Sequence, residues 1–399
     1  MKKVYDEIYG YIKLDDRETE LISMPEFQRL RRIKQTSLAY LVYPGATHSR
    51  FSHSLGSFYL ATILGERFRQ IGIITDEELT YLKLSVLLHD VGQFPFSHSL
   101  EPLYLEKGLS NKDLRALIIS RSPYFREFFD KESIDYNKIL EILNGSSMVS
   151  SVINSDVDVD RMDYLVRDSR HTGVQLGNID LYRLLDTIFY GSNNEIIIQD
   201  KGIYSLENFF ISRLHMYQAV YYHKTIIGYE LMLREIFKLI FECCDPSIID
   251  INDIKNLVYD SSISYWDDEW VYMVLYTYLH SSNSPEYLKQ KIRNFLDRRG
   301  PKVVYEEISY DKEVKEGSGT IRELVDLLDK NQIPLSSIYP TEEKIKILNK
   351  EKIKILTNNK EVDVRNYKAT LINHIPETLT IRRIYVDYQY AKKAREVVS

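Results

Sequence analysis

Leu87-Leu88-His89-Asp90-Val91-Gly92 is the stretch on which the reading of this chain turns. An apolar run ends in a histidine and an aspartate side by side, and a glycine follows two residues later. Adjacent residues sit about 100° apart on a helix, so both side chains reach one ion only where the helix ends and the chain turns away. Val91-Gly92 supplies that turn. Upstream, Arg50-Phe51-Ser52-His53-Ser54-Leu55-Gly56 offers a second imidazole. Downstream, Asp156-Val157-Asp158-Val159-Asp160-Arg161 offers a second carboxylate. Alone, His89-Asp90 reads more simply as a core histidine beside a capping aspartate. In the ordered set His53, His89, Asp90 and Asp160 it reads as the donor shell of a hydrolytic divalent metal. That ion is Mn, Fe, Zn, Ni or Co, with Mg suiting histidine less well.

The acidic run does not read as an EF-hand loop, because Arg161 stands where glycine is needed and Arg167 where glutamate is needed. On a helix, Asp160, Tyr164 and Asp168 share one face, so one carboxylate can bind metal while the others meet a substrate. Asp156 and Asp163 suit a solvated acidic face. Arg50 and Arg161, beside the metal residues, and Arg213 and Lys224 further on are candidates for binding phosphate. There is no phosphate-binding Gly-x-x-x-x-Gly-Lys loop and no nucleophilic serine or cysteine context. Gly317-Ser318-Gly319 lacks the third glycine of a dinucleotide fingerprint.

The 399 residues are 44% hydrophobic and 28% charged, enough for a large core in two or three domains. A net charge of −6 disfavours a nucleic-acid-coating protein but leaves room for a local basic pocket. Cys243 and Cys244 are adjacent, which excludes a disulfide framework and suits a reducing, cytoplasmic setting. No run of about 18 apolar residues predicts a membrane span.

Residues 1–20 read as an extended lead-in and a turn, and 24–34 as a helix. Helical patterns follow over 52–71, 76–90, 111–120, 124–130, 136–143 and 156–170. Residues 195–206 look like a β-hairpin turning at Asp200-Lys201-Gly202. A long helix spans 206–243, with Arg213 and Lys224 eleven residues apart and so on one face. Further helices fill 252–298. After Gly300 the period changes to two. The twin Ile-Lys-Ile-Leu runs at 344–348 and 352–356 read as a hairpin, and 378–388 as a longer strand. The expectation is a mainly α protein, with a helical catalytic body over 1–300 and a smaller α+β domain over 301–399.

Taken together, several segments resemble the HD-domain deoxynucleoside triphosphate triphosphohydrolases. They are Arg32-Ile33-Lys34-Gln35, the run Tyr43 to Gly56, His89-Asp90-Val91-Gly92 with Pro95-Phe96-Ser97-His98, and Asp158 to Tyr164 with Arg167-Asp168. The resemblance covers roughly residues 1–300. It implies one divalent metal on His53, His89, Asp90 and Asp160, in an HD-type helical core. It implies phosphate contacts from Arg50, Arg161, Arg213 and Lys224. It implies that Gln35 and Asp168 read the sugar 3′-hydroxyl, that Tyr164 packs under the ribose and that Tyr221 closes the site. A dNTP substrate and a homo-oligomer are implied as well.

The chain departs from the family in two places. Gln93-Phe94 replaces the His-Gly that usually follows His-Asp-x-Gly, and Asn111-Lys112-Asp113-Leu114 stands where a His-Glu pair is expected. Those histidines supply the acid that protonates the leaving oxygen, and glutamine does not titrate. His98, Glu101 or Lys112 are the candidate substitutes. Two other readings stay open: a nucleotide-binding relative without turnover, and a phosphodiesterase or nuclease of the same superfamily. His48 and His171 flank the motifs and suit either the pocket or a structural role.

Overall fold

A β-hairpin opens the chain, β1 (Lys2–Asp6) antiparallel to β2 (Gly10–Leu14), where the sequence suggested only an extended lead-in. The computed structural model describes residues 1–191, 193, 195–311 and 318–398, so Gly317 of the Gly-Ser-Gly stretch lies outside the described residues. Asp15 and Glu18 form a capping box that starts α1 (Asp16–Ser23). The helix expected over 24–34 is cut short. Only α2 (Pro25–Gln28) and a 3₁₀ turn (Arg29–Arg32) form. Ile33 turns extended instead, and its carbonyl accepts from Arg50 N at 2.9 Å while Gln35 N donates to the His48 carbonyl at 3.0 Å.

Two helices carry the centre of the molecule. Ser49 caps α3 (Arg50–Gln70), and a Thr75–Glu78 capping box starts α4 (Asp76–Leu88). The periphery follows in α5 (Glu101–Leu105), α6 (Asn111–Arg121), α7 (Pro123–Lys131) and α8 (Tyr136–Leu143). Then α9 (Val159–Thr172) returns to pack on α3. It starts later than expected because Asp158 is its N-cap, accepting from Arg161 N at 2.9 Å, and it ends at Gly173 with φ +78°.

The expected hairpin over 195–206 is displaced. After α10 (Leu181–Thr187), β4 (Ile196–Gln199) pairs backward with β3 (Ile188–Tyr190), and Ile203 already begins α11 (Ile203–Met216). The expected long helix is two helices. A π-type turn over Tyr217–Tyr221 and an extended His223 (φ −59°, ψ 128°) separate α11 from α12 (Lys224–Cys243). Arg213 and Lys224 therefore do not share one helix face. Next come α13 (Ile251–Tyr259), α14 (Asp268–His280) and α15 (Glu286–Leu296).

Beyond residue 300 the chain forms β5 (Lys302–Tyr310), α16 (Ser318–Lys330), β6 (Ile338–Lys346), β7 (Lys354–Thr357), β8 (Lys360–Asp363), β9 (Thr378–Val386) and α17 (Ala391–Val398). The twin Ile-Lys-Ile-Leu runs are not a hairpin. The first belongs to the antiparallel sheet β5-β9-β6, whereas the second, in β7, pairs with β8 and runs parallel to β4. This parallel pairing ties residues 354–357 to the helical body. Ile345, Ile353, Ile355 and Ile372 are buried in the same hydrophobic core as α3 and α4, while Leu328, Ile333, Ile384 and Val386 form a separate small core. Among the described residues no helix is long and apolar enough to cross a membrane.

Candidate metal centre and substrate cleft

Residue 89 is where α4 stops. The stop is built by packing as well as by sequence. A side-chain carbon on Gly92 would lie 2.3 Å from the Asn111 carbonyl and 2.4 Å from Arg115 N, so only glycine lets the start of α6 approach this closely. Arg29 is fully buried and holds the turn from the other side, donating to the carbonyls of Val91 (3.2 Å), Gln93 (2.5 Å) and Trp266 (2.6 Å). The turn then passes through left-handed Phe96 and Ser97, and Phe96 N donates to Asp268 at 2.6 Å.

These constraints bring all four expected metal residues together. His53 Nε2 lies 3.1 Å from His89 Nε2, 2.9 Å from Asp160 Oδ1 and 3.9 Å from Asp90 Oδ2. His89 Nε2 lies 3.6 Å from Asp90 and 3.8 Å from Asp160. The outer nitrogens fix the chemistry. His53 Nδ1 donates to Asp163 at 2.8 Å and His89 Nδ1 donates to the Val86 carbonyl at 2.6 Å. With the Nδ1 atoms committed there, the two Nε2 atoms face each other, and a proton or a metal ion between them relieves the repulsion. His53, His89 and Asp90 are placed to hold a metal ion, and two imidazoles with carboxylates fit a divalent metal.

The electrostatics agree. Burial pushes the His53 pKa down, but Asp160 and Asp163 outweigh it and lift it to about 10, so the carboxylates favour positive charge here. Burial likewise opposes ionisation of Asp90, yet Arg50, His89 and His53 hold its carboxyl well below the usual range. Arg50 donates to Asp90 at 2.9 Å and to the Ser97 hydroxyl at 3.1 Å.

Asp163 corrects the sequence reading. It is fully buried rather than on a solvated face, and Arg167 grips it with two hydrogen bonds of 2.9 and 3.0 Å. A side-chain carbon on Gly56 would fall 1.9 Å from its carboxylate oxygen, so α3 needs glycine where Asp163 reaches across. The only sequence hint was its spacing, three residues after Asp160.

A cleft of about 570 Å³ opens beside the metal residues. Gln35, Arg50, Asp90, Asp160, Tyr164, Asp168 and Tyr221 line it, together with His98 and Glu101. Asp168 is held from two sides, by His48 Nε2 and by the Tyr221 hydroxyl, each at 2.7 Å. The Tyr164 and Tyr221 rings meet edge to face at 5.8 Å. The side-chain oxygens Oε1 of Gln35 and Gln93 are buried with no hydrogen-bond partner among the described residues. His98 and Glu101 pair at 3.1 Å at the mouth.

Other candidates stand outside the lining. Lys112 and Lys224 are exposed. Arg161 turns to the Ser155 carbonyl (2.7 Å) and to Asp158. Arg213 is buried and donates to the Lys346 carbonyl at 3.2 Å. Both arginines still act electrostatically on Tyr164. Conversely, Glu230 and Arg234 on α12, Glu343 on β6, and Tyr217 and Tyr222 line the cleft although no sequence motif marks them.

A His-His-Asp-Asp centre at a helix end, opening on a cleft of mixed polar and apolar lining, suits a metal-dependent hydrolase. Residues 50–168 match the HD domain and residues 179–261 match the HD associated region. The chain is an HD-domain protein. It is 40% identical over 263 residues to an uncharacterised protein of Methanocaldococcus jannaschii, a match covering 64% of this chain and 53% of that one. It is 30% identical over 279 residues to the deoxynucleoside triphosphate triphosphohydrolase SAMHD1 of Gallus gallus, covering 60% of this chain and 45% of that one. The chain thus spans about half the length of these curated relatives. A crystal structure of a hypothetical protein from Aquifex aeolicus superposes with a TM-score of 0.81 at 27% identity, over 100% of both chains. A phosphohydrolase from Bacteroides thetaiotaomicron shares the fold, with a TM-score of 0.77 at 24% identity over 97% of this chain and 99% of that one.

Proposed function

We propose that this protein is a dNTP triphosphohydrolase, converting a deoxynucleoside triphosphate and water into a deoxynucleoside and triphosphate. The observation that carries this reading is that Gln35, Tyr164, Asp168 and Tyr221, suited to a sugar, line the same cleft as Asp90 and Asp160. A divalent ion at His53, His89, Asp90 and Asp160 supplies a water nucleophile at neutral pH and neutralises phosphate charge. In the reaction, water oxygen bonds to the α-phosphorus, the bond to O5′ breaks, and O5′ takes a proton. His98, paired with Glu101, faces the cleft and takes the place of the family's missing histidines as the proton donor. Arg50 orients the α-phosphate beside Asp90. Gln35 and Asp168 hold the 3′-hydroxyl, and the unpartnered Gln35 Oε1 gains a partner when that hydroxyl arrives.

A second reading, nucleotide binding without turnover, draws on Gln93. It donates to Asp90 at 2.9 Å where a titrating group is expected. An assay of the Mn²⁺-loaded protein against the four dNTPs separates the two readings. Triphosphate and nucleoside as products support the enzyme, and binding without product supports the alternative. The free Cys243 and Cys244 thiols fit a cytoplasmic setting. A homo-oligomer belongs to the same proposal, and light scattering tests it.

A further inference from the structure

The same cleft carries residues that the proposed bond cleavage does not use. There Glu230 and Arg234 from α12 and Glu343 from β6 stand around an apolar wall of Tyr222, Ile226 and Ile227. Glu230 is only 7% exposed. The Ser37 and Ser99 hydroxyls, bonded to each other, stand beside its carboxylate, and burial raises its pKa, as burial does for Glu343. Arg234 Nε donates to the Ser99 carbonyl at 2.8 Å, and its Nη2 stands 3.6 Å from Glu230. The Glu230 carboxylate keeps lone pairs on its oxygens for the cavity. Being desolvated, it gains from any hydrogen-bond donor that enters.

The spacing suits a nucleoside. Ser97 anchors Arg50 beside the metal centre, and Ser99 anchors Arg234 and stands beside Glu230. Two residues of chain keep these anchor points within about 7 Å of each other. A triphosphate tail is repelled by the two carboxylates, so this part of the cleft takes the opposite end of the molecule. Among the DNA bases, guanine alone presents two adjacent donors, N1–H and the 2-amino group, next to a carbonyl acceptor. Adenine and cytosine each offer one amino group beside a ring acceptor, and thymine one N–H between two carbonyls.

We propose that Glu230, Arg234 and Glu343 form a nucleobase pocket that selects guanine. Glu230 accepts from N1–H and the 2-amino group, and Arg234 donates to O6. Glu343 closes the pocket from β6 and keeps phosphate out. This inference rests on the dNTP reading for the placement of sugar and phosphates, and it gives the strand after residue 300 a part in the substrate site.

The test is calorimetric binding of the α-thio analogues of the four dNTPs and of dITP to the Mn²⁺-loaded protein, beside a turnover assay. The dGTP analogue is expected to bind at least about tenfold tighter than the dATP analogue, and the dITP analogue, lacking the 2-amino group, falls between. Glu230→Gln is expected to cut the ratio of dGTP-analogue to dATP-analogue affinity to about one or below. Glu343→Gln, at a half-buried position, narrows the preference and covers the case in which the first variant misfolds. Equal binding of all four analogues, no binding at all, or a preference untouched by both variants overturns the pocket. Guanine-selective binding without product leaves the pocket standing and removes the dNTP hydrolase. Turnover without base preference does the reverse.

Discussion

His53 and Asp163 are joined by a 2.8 Å hydrogen bond that turns the imidazole's other nitrogen toward the metal centre. The carboxylate fixes the tautomer, and Arg167 fixes the carboxylate. Supports of this kind typically change metal affinity about 10- to 100-fold when removed. Asp163→Asn is therefore expected to weaken Mn²⁺ binding by about 10- to 100-fold in a chelator competition. Asp156→Asn, at a half-buried position outside this network, should leave it within about twofold. Equal effects would contradict the assigned roles.

The proximity of the expected metal residues was legible because they sit in short motifs, His53 in one, His89 and Asp90 in a second and Asp160 in a third, and the fold only had to bring three segments together. Asp163 was not legible. On a helical wheel it falls beside polar residues, and its burial depends on Gly56 of another helix leaving room. The break between α11 and α12 was hidden for a related reason. No Gly or Pro marks residues 217–223, yet Tyr43 Oη donates to the Ala219 carbonyl at 2.6 Å and draws it out of the helical ladder. The identical Ile-Lys-Ile-Leu runs have the same local preference, and only tertiary pairing sends them to different sheets.

His98 faces the cleft and Lys112 does not. If His98 donates the proton to O5′, His98→Ala lowers kcat by about 10²-fold or more with little change in KM. Lys112→Ala, on an exposed first helical turn, changes kcat less than about twofold. A large effect of Lys112→Ala in steady-state kinetics would reverse the assignment.

Gly92 sets the position of the metal-bearing turn. Gly92→Ala forces the start of α6 away from a carbonyl and an amide at 2.3 and 2.4 Å. Overpacking of this kind costs about 1–3 kcal/mol. The variant should melt several degrees lower and bind Mn²⁺ more weakly than wild type. Unchanged melting would show that α6 moves freely.

Asp268 gives a pH signature away from the metal. Burial pushes its carboxyl up from 3.8 to about 6, against Lys34 and the amides of Lys34 and Phe96. A carboxyl that holds its proton more tightly when folded favours the fold below pH 4, and that contribution is lost as pH rises through 6. Asp268→Asn does not titrate there. Its stability relative to wild type should therefore rise by up to about 3 kcal/mol between pH 4 and 7. Parallel denaturation profiles of the two proteins would refute this.

The most direct test of the central claim is product analysis by chromatography after incubating Mn²⁺-loaded protein with each dNTP, beside an Asp90→Ala control. The account predicts deoxynucleoside and intact triphosphate from the wild-type protein and neither from the control. Monophosphate with pyrophosphate, or no product from a protein that retains its metal, would contradict it.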